Sequence, residues 1–206
     1  MNIPSVPQAR LYLAEAERRN PGPWVAHSLQ VAEAARNLAA VHPALETTPA
    51  YVLGLLHDIG RREGIHGMRH VIDGYNFLVG EHFPDAARIC LTHSYPLPTV
   101  EIGSHWWDGT PEERRFVQRY LDGIEYTPYD RLIQLCDAIC LPSGPVLMEK
   151  RLLDVTLRYG FNEMTTSKWR AFFEIQAEFE AAIGGSIYRH LPGVVENTFG
   201  FPLVGT

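Results

Sequence analysis

The chain has 206 residues, of which 46% are hydrophobic and 20% are charged, and its formal net charge is -6 at pH 7. These values are typical of one globular domain with an ordinary hydrophobic core. The acidic balance argues against a protein that coats a nucleic-acid polymer, because such proteins are normally basic. No run approaches the ~18 to 20 apolar residues of a membrane span, and the start MNIPSVPQARLYLAEAERRN is unlike a secretory signal. We therefore expect a cytoplasmic protein with free, reduced cysteines.

Residues that favour the start or the end of a helix recur along nearly the whole chain. They predict nine helices, at about residues 6–19, 24–41, 48–60, 68–79, 84–93, 111–121, 128–141, 145–159 and 165–183. We find no convincing strand alternation and no internal repeat. The sequence therefore predicts an all-α fold, a single bundle of about nine helices over residues 1–183.

The remaining residues, 184–206, form a tail that is punctuated by glycine and proline yet rich in apolar side chains. Disordered tails are seldom this apolar. We expect the tail to pack either on the helical domain or on a partner subunit, which would make the protein a homodimer.

Six polar side chains fall on helix faces, or at a helix end, that are otherwise apolar. The run GLLHDIG, residues 54–60, ends in an imidazole and a carboxylate that a hydrophobic core does not favour. The others lie at helical spacing from apolar neighbours, as His27 does from Val31, Ala34 and Leu38. The six residues are His27, His57, Asp58, His70, His93 and Asp137.

Each of these six residues has an ordinary structural alternative. A single histidine on an apolar face is more often a hydrogen-bonded core residue than a metal ligand, and a single inward aspartate is commonly a cap or half of an ion pair. Six such groups in one domain are different, because buried ionised carboxylates are costly unless a charge offsets them. A divalent cation pairs these charges and selects neutral imidazole. The pattern therefore predicts a buried metal site.

The order of these residues resembles the HD superfamily of metal-dependent phosphohydrolases. A histidine on an upstream helix, the dyad in LLHDIG and a later aspartate in LIQLCDAI match the pattern of that family over residues 24–141. The resemblance implies an all-helical domain with four metal ligands: His27, His57, Asp58 and Asp137. Some members add two histidines and hold a second metal that the dyad aspartate bridges, and His70 and His93 are similar to those positions.

The number of metal ions stays open at this point. We predict two divalent ions, with His70 and His93 completing the second site, and a single ion on the first four ligands is the alternative. His66 competes with His70, but it precedes the predicted helix and ranks as a loop residue. Nitrogen and oxygen ligands suit iron, manganese, cobalt, nickel or zinc without selecting among them.

The resemblance implies hydrolysis of a small phosphorylated molecule, such as a nucleotide, in which a metal-activated water attacks in line. Asp58 would then be a catalytic residue as well as a ligand. A phosphate also needs cations, and arginine binds it bidentately. The candidate substrate-binding residues are Arg61, Arg62, Arg69 and Lys150, with Arg61 also a catalytic candidate. For each of these cations, a solvated helix face is the alternative.

The segment SYPLPTVEIGSHWWDGT, residues 94–110, is predicted to be a long loop. It carries His105 and two adjacent tryptophans, Trp106 and Trp107. Tryptophans in such a loop either form the wall of a substrate pocket or cover the core.

Two other functions fit the same ligand pattern. One branch of the superfamily uses a di-iron centre and O₂ to cleave small organic substrates, and a non-catalytic ligand sensor would keep the fold. The complete set of ligands argues against a sensor. We expect a small phosphorylated substrate as the partner, and neither a nucleic-acid polymer nor a membrane.

Overall fold

The computed structural model describes residues 1–64 and 67–201, with the backbone alone at residues 104–106. The described chain contains ten α-helices: α1 (Val6–Arg19), α2 (Pro23–Ala39), α3 (Thr47–Leu56), α4 (His70–Gly80), α5 (Pro84–Thr92), α6 (Pro111–Asp122), α7 (Pro128–Ile139), α8 (Met148–Tyr159), α9 (Thr165–Ile183) and α10 (Val194–Phe199). It also contains 3-10 helices at Ile59–Glu63, Val100–Trp106 and Ile187–His190, and the strands β1 (Cys140–Leu141) and β2 (Gly144–Pro145) pair antiparallel. The predicted all-α fold is confirmed.

Threonine and proline set the starts of α6 and α7. Thr110 caps α6 and Thr127 caps α7, and each is followed by a proline in the first helical turn. In both helices the carboxylate of the third residue, Glu113 or Asp130, accepts a hydrogen bond from the backbone N–H of the capping residue. These reciprocal bonds satisfy backbone N–H groups that a helix start leaves unpaired. The sequence therefore predicted both starts correctly.

The third predicted helix has different ends in the structure. α3 begins at Thr47 and not at Thr48, and it ends at Leu56 instead of continuing to Gly60. At this end the Nδ1 of His57 donates a 2.8 Å hydrogen bond to the Gly54 carbonyl oxygen. The His–Asp dyad therefore lies at a corner between α3 and the 3-10 helix that follows.

The chain beyond α7 also differs from the prediction. α7 ends at Ile139, where the β1–β2 hairpin begins, and the tail contains a 3-10 helix and α10. Ile187, Leu191 and Val194 from the tail are buried in the main hydrophobic core. The described part of the tail thus packs on the helical domain. No helix in the described ranges is long and apolar enough to cross a membrane.

Two glycines allow the elements that carry the polar residues to approach closely. A Cβ at Gly54 would lie 2.6 Å from Cα of Ala32, so the backbones of α2 and α3 are in contact. A Cβ at Gly60 would lie 2.0 Å from the His70 carbonyl oxygen and 2.3 Å from the Gly74 nitrogen. Real Cβ atoms do not make contacts this short, so only glycine fits. Gly60 thereby holds the start of α4 against the corner formed by the dyad.

A buried carboxylate ties α7 to α5. Arg88 contacts both carboxylate oxygens of Asp130 through Nε and Nη2 at 2.8–3.1 Å, and Thr92 Oγ1 donates at 2.7 Å. The backbone N–H and hydroxyl of Thr127 donate to the same carboxylate at 2.7 Å. Protein groups therefore satisfy Asp130 completely. The network thus joins the end of α5 to the start of α7.

Candidate metal centre

The structure brings all six predicted ligand residues into one cluster. They come from α2, the corner after α3, the start of α4, the end of α5 and the last turns of α7. They form three overlapping groups, in each of which one ligand atom per residue lies within 4.8 Å of the others: His27, His57 and Asp58; His57, His93 and Asp137; Asp58, His70 and His93. The Asp137 side chain is 24% exposed and the other five residues are buried, so the cluster is most open at Asp137.

Three of the histidines present a nitrogen lone pair to the cluster. Each donates a hydrogen bond from Nδ1 to a backbone carbonyl oxygen about one turn earlier: His57 to Gly54 at 2.8 Å, His70 to Gly67 at 2.5 Å and His93 to Ile89 at 3.1 Å. A carbonyl oxygen can only accept, so the proton of each neutral ring lies on Nδ1. The Nε2 atoms are therefore available as metal ligands, and the carbonyls fix the orientation of the rings.

These lone pairs face one another and the Asp58 carboxylate. Nε2 of His70 lies 3.3 Å from Nε2 of His93, and Oδ1 of Asp58 lies 3.1 and 3.5 Å from these two atoms. Nε2 of His57 is buried and has no hydrogen-bond partner among the described residues. Acceptors placed this closely repel one another unless a proton or a cation lies between them. The donor set therefore fits a metal ion.

The electrostatic surroundings favour the protonation states that metal binding needs. Burial lowers the pKa of His57 to about 4, although the charge of Asp58 opposes the shift. Burial and the nearby Arg61 also lower the pKa of His70 below its ordinary value. Burial alone would raise the pKa of Asp58, but Arg61 and the surrounding histidines hold it well below its usual range. At neutral pH the cluster thus combines the neutral imidazoles of His57 and His70 with the ionised carboxylate of Asp58.

His27 and Asp137 form a separate pair within the cluster. Nε2 of His27 lies 2.9 Å from Oδ1 of Asp137, and the ionised carboxylate accepts the hydrogen bond. Burial would raise the pKa of Asp137, but this bond and the neighbouring histidines lower it. Nδ1 of His27 is buried without a hydrogen-bond partner in the described structure. The ring proton of His27 therefore lies on Nε2, between Nε2 and Oδ1 of Asp137, the two atoms that would bind a cation.

Arg61 lies against the cluster. Its Nε donates a 2.6 Å hydrogen bond to Oδ2 of Asp58, and its side chain is 29% exposed. Burial would lower the pKa of its guanidinium, but the Asp58 charge raises it. The backbone oxygen of Arg61 accepts a 2.6 Å hydrogen bond from Nδ2 of Asn20. Arg61 thus presents a fixed, partly exposed cation at the edge of the site.

Arg62, which the sequence suggested as a substrate-binding residue, is directed elsewhere. Its buried guanidinium forms a 2.8 Å ion pair with Glu15 and lies 3.9 Å from the centre of the Phe77 ring. Side chains of successive residues in a 3-10 helix are about 120° apart, so Arg62 faces α1 when Arg61 faces Asp58. The assignment of Arg62 to the substrate site is therefore corrected.

The contacts of Arg69 and Lys150 also lie outside the cluster. Arg69 pairs with Asp73 at 3.5 Å, one turn along α4. Nζ of Lys150 donates a 2.9 Å hydrogen bond to the backbone oxygen of Thr198, so it anchors the tail. Neither cation is brought to the six ligand residues by its contacts in the described structure. The substrate contacts predicted for Arg69 and Lys150 stay predictions.

The segment at residues 94–110 contains a 3-10 helix and is only partly described at the side-chain level. Trp107 packs on a small hydrophobic cluster around Val71 and Leu91, and its Nε1 donates to the Thr110 carbonyl oxygen at 3.2 Å. Trp107 thus covers a core. The side chains of His105 and Trp106 lie outside the described residues, as does His66.

Sequence inspection missed one cation near the cluster, Lys168 on α9. Burial lowers the pKa of its ammonium, and the carboxylate charge of Asp137 opposes this shift only in part. Lys168 lies outside the motif region, in the unremarkable segment SKWRAFFE. Only the packing of α9 on α7 brings it to the site, and no local pattern could have shown this.

A comparison with protein-family models supports the identification that these residues suggest. The model described as HD domain matches residues 24–140, more than half of the chain. The matched segment contains all six residues of the cluster. No curated protein and no solved structure matches the chain significantly. The resemblance drawn from the motifs is confirmed, and the chain belongs to the HD domain family.

Proposed function

We propose that the protein is a metal-dependent hydrolase of a small phosphorylated molecule such as a nucleotide. Membership of the HD family supports metal-dependent hydrolysis, because this superfamily consists mostly of metal-dependent hydrolases. One observation carries the proposal: three oriented imidazole nitrogens converge on the buried Asp58 carboxylate. Such a set of neutral nitrogens and ionised oxygens binds a divalent transition metal.

The proposed centre contains two ions. His27, His57, Asp58 and Asp137 would hold the first, and Asp58, His70 and His93 the second. Asp58 is shared because it belongs to two of the three ligand groups. When bound, divalent ions supply Lewis-acid activation of water and of a phosphoryl oxygen.

The residues of the chain contribute orientation and exclusion of water. The hydrogen bonds from Nδ1 lock the rings of His57, His70 and His93, so little reorganisation is needed on binding. The burial of these residues strengthens electrostatic interactions inside the site. Asp58 orients the plane of the Arg61 guanidinium through Nε. We propose that Arg61 binds a phosphoryl oxygen of the substrate, because guanidinium groups bind phosphate with fixed geometry.

The test is a reconstitution experiment with defined metals. Chelator-treated protein would be loaded with iron, manganese, cobalt, nickel or zinc and assayed against phosphomonoesters and phosphodiesters, with and without oxygen. We expect metal-dependent hydrolysis that is independent of oxygen. Absence of hydrolysis with every metal would contradict the proposal. Oxygen-dependent turnover of an organic substrate by an iron-loaded protein would instead support the oxygenase alternative, and binding without turnover would support a sensor.

A variant pair tests the proposed role of Arg61. Arg61→Ala should raise KM for a phosphorylated substrate by about 10- to 100-fold, which corresponds to one charge-assisted hydrogen bond. Arg19→Ala is the control, because Arg19 is an exposed arginine paired with Glu63 at 3.0 Å. Equal KM values for the two variants would remove Arg61 from the substrate site.

A further inference from the structure

A second group of cations lies near the open side of the cluster, on helices that the family match does not cover. Lys168 is on α9 and Arg151 on α8, both beyond residue 140, where the match ends. α8 and α9 each pack on α7, the helix that carries Asp137. The charge of Asp137 and the charge of Arg151 both act on the Lys168 ammonium. The two cations are therefore neighbours of one another and of the most open ligand residue.

Lys168 lacks an ionic partner in hydrogen-bond contact. It is half-buried, and the described structure gives its ammonium neither a hydrogen bond nor an ion pair. Its Nζ lies 5.8 Å from the centre of the Phe172 ring. An ammonium that has left part of its hydration without gaining hydrogen bonds is an unfavourable arrangement. A bound anion would relieve it.

Arg151 is also incompletely satisfied. Its side chain is 13% exposed, and its Nη1 forms a 3.3 Å ion pair with Asp154. Asp154 is shared with Arg158, which lies closer at 2.8 Å. Nε of Arg151 is buried and has no hydrogen-bond partner in the described part of the chain. The guanidinium of Arg151 therefore keeps hydrogen-bond donors that the described protein groups do not use.

We infer that Lys168 and Arg151 bind an oxyanion group of the substrate, of the phosphoryl type, beside Asp137. This inference rests on the proposed function and extends it, because it assigns the recognition of the substrate anion to α8 and α9 as well as to Arg61. An ammonium with three donors and a guanidinium with unpaired N–H groups match the tetrahedral oxygens of a phosphate. The substrate would accordingly carry its charge on the α8–α9 side of the metal centre.

The experiment measures the affinity of the full chain, as purified, for inorganic phosphate by calorimetry or phosphorus NMR. Lys168→Met should weaken phosphate binding by about 10- to 100-fold. The control is Arg170→Met, which removes one positive charge from an exposed position on the same helix, and it should change the affinity by less than about twofold. Lys168→Arg should restore most of the affinity. If Lys168→Met fails to fold, Lys168→Gln keeps the chain length and gives the same comparison.

Two results would overturn the inference: no phosphate binding by the wild-type chain, or equal affinities for the Lys168→Met and Arg170→Met variants. Metal content and hydrolysis, measured on the same preparations, separate this failure from failure of the proposed function. Phosphate binding that depends on Lys168, without any metal-dependent hydrolysis, would contradict the function and support the anion site. Hydrolysis with binding independent of Lys168 would contradict the anion site alone.

Discussion

Two buried aspartates in this protein have opposite surroundings. Asp130 is fully buried and accepts hydrogen bonds from the guanidinium of Arg88, two threonine hydroxyls and a backbone N–H. Asp58 is also buried, but its Oδ1 faces imidazole nitrogens that carry lone pairs, and only Oδ2 accepts from Arg61. The protein alone satisfies Asp130. It leaves Asp58 arranged for a cation.

This difference separates a structural from a functional buried charge. A carboxylate that serves the fold is surrounded by donors from neighbouring elements, because an unpaired buried charge is costly. A carboxylate that serves a metal is surrounded by other acceptors. Removing Asp130 should therefore affect stability, and removing Asp58 should affect metal binding.

The largest expected effect on stability comes from breaking the Asp130 network. Asp130→Ala should lower the free energy of unfolding by about 3–5 kcal/mol, because it leaves the donors on Arg88, Thr92 and Thr127 without their shared buried acceptor. Asp58→Asn should cost less in chelator-treated protein, since its Oδ1 has no hydrogen-bond partner to lose among the described residues and the amide oxygen can still accept from Arg61. Urea denaturation of both variants measures the difference. A loss below about 1 kcal/mol for Asp130→Ala would contradict this account of the network.

The stability gained from added metal should depend on Asp58 and not on Asp130, because only Asp58 is a proposed metal ligand. At a free metal concentration 100 times the dissociation constant, the wild-type chain should gain about 2.7 kcal/mol of stability. The Asp130→Asn variant should show a similar gain, whereas Asp58→Asn should show almost none. Thermal unfolding with and without metal is the measurement. An equal gain in both variants would mean that the metal binds outside the cluster.

Gly60 offers a way to disturb the Asp58 site without touching Asp130. Gly60→Ala should cost about 1–3 kcal/mol through overpacking, because the new methyl would collide with the His70 carbonyl. The same displacement of α4 should weaken metal binding. Gly80→Ala is the control, since a Cβ there has no atom within 4 Å. Unchanged metal affinity in Gly60→Ala would show that the close approach does not position His70.

The effect that is smallest per unit of change is the dependence of stability on pH in chelator-treated protein. Below pH 6.5 the unfolded chain protonates His57, whereas the folded chain stays neutral until about pH 4. The unfolded state thus binds more protons in this window, and stability falls as the pH falls, by up to about 1.4 kcal/mol per unit. His57→Gln should reduce the slope between pH 6.5 and 4. An unchanged slope would place the titrating group elsewhere.

The residues of the cluster could be predicted because each one is recognisable from its near neighbours in the sequence. An imidazole or a carboxylate on an apolar helix face stands out through helical periodicity alone, as at His27 and Asp137. The starts of α6 and α7 were equally local, because Thr110 and Thr127 cap their own helices. These features required no knowledge of distant contacts.

The features that the sequence did not show depend on geometry or on tertiary packing. α3 ends at Leu56, and the chain continues through the dyad into a 3-10 helix that no local sequence signal marks. Arg61 and Arg62 are adjacent and chemically identical, and the 3-10 geometry directs one to Asp58 and the other to Glu15. Lys168 reaches the site only because α9 packs on α7.

The most direct test of the central claim is elemental analysis of purified wild-type chain and the Asp58→Asn variant after dialysis against each candidate metal. The account predicts two ions per wild-type chain and almost none in the variant, with the helical circular-dichroism signal retained in both. A wild-type chain that binds no divalent metal, or a variant with unchanged metal content, would contradict it.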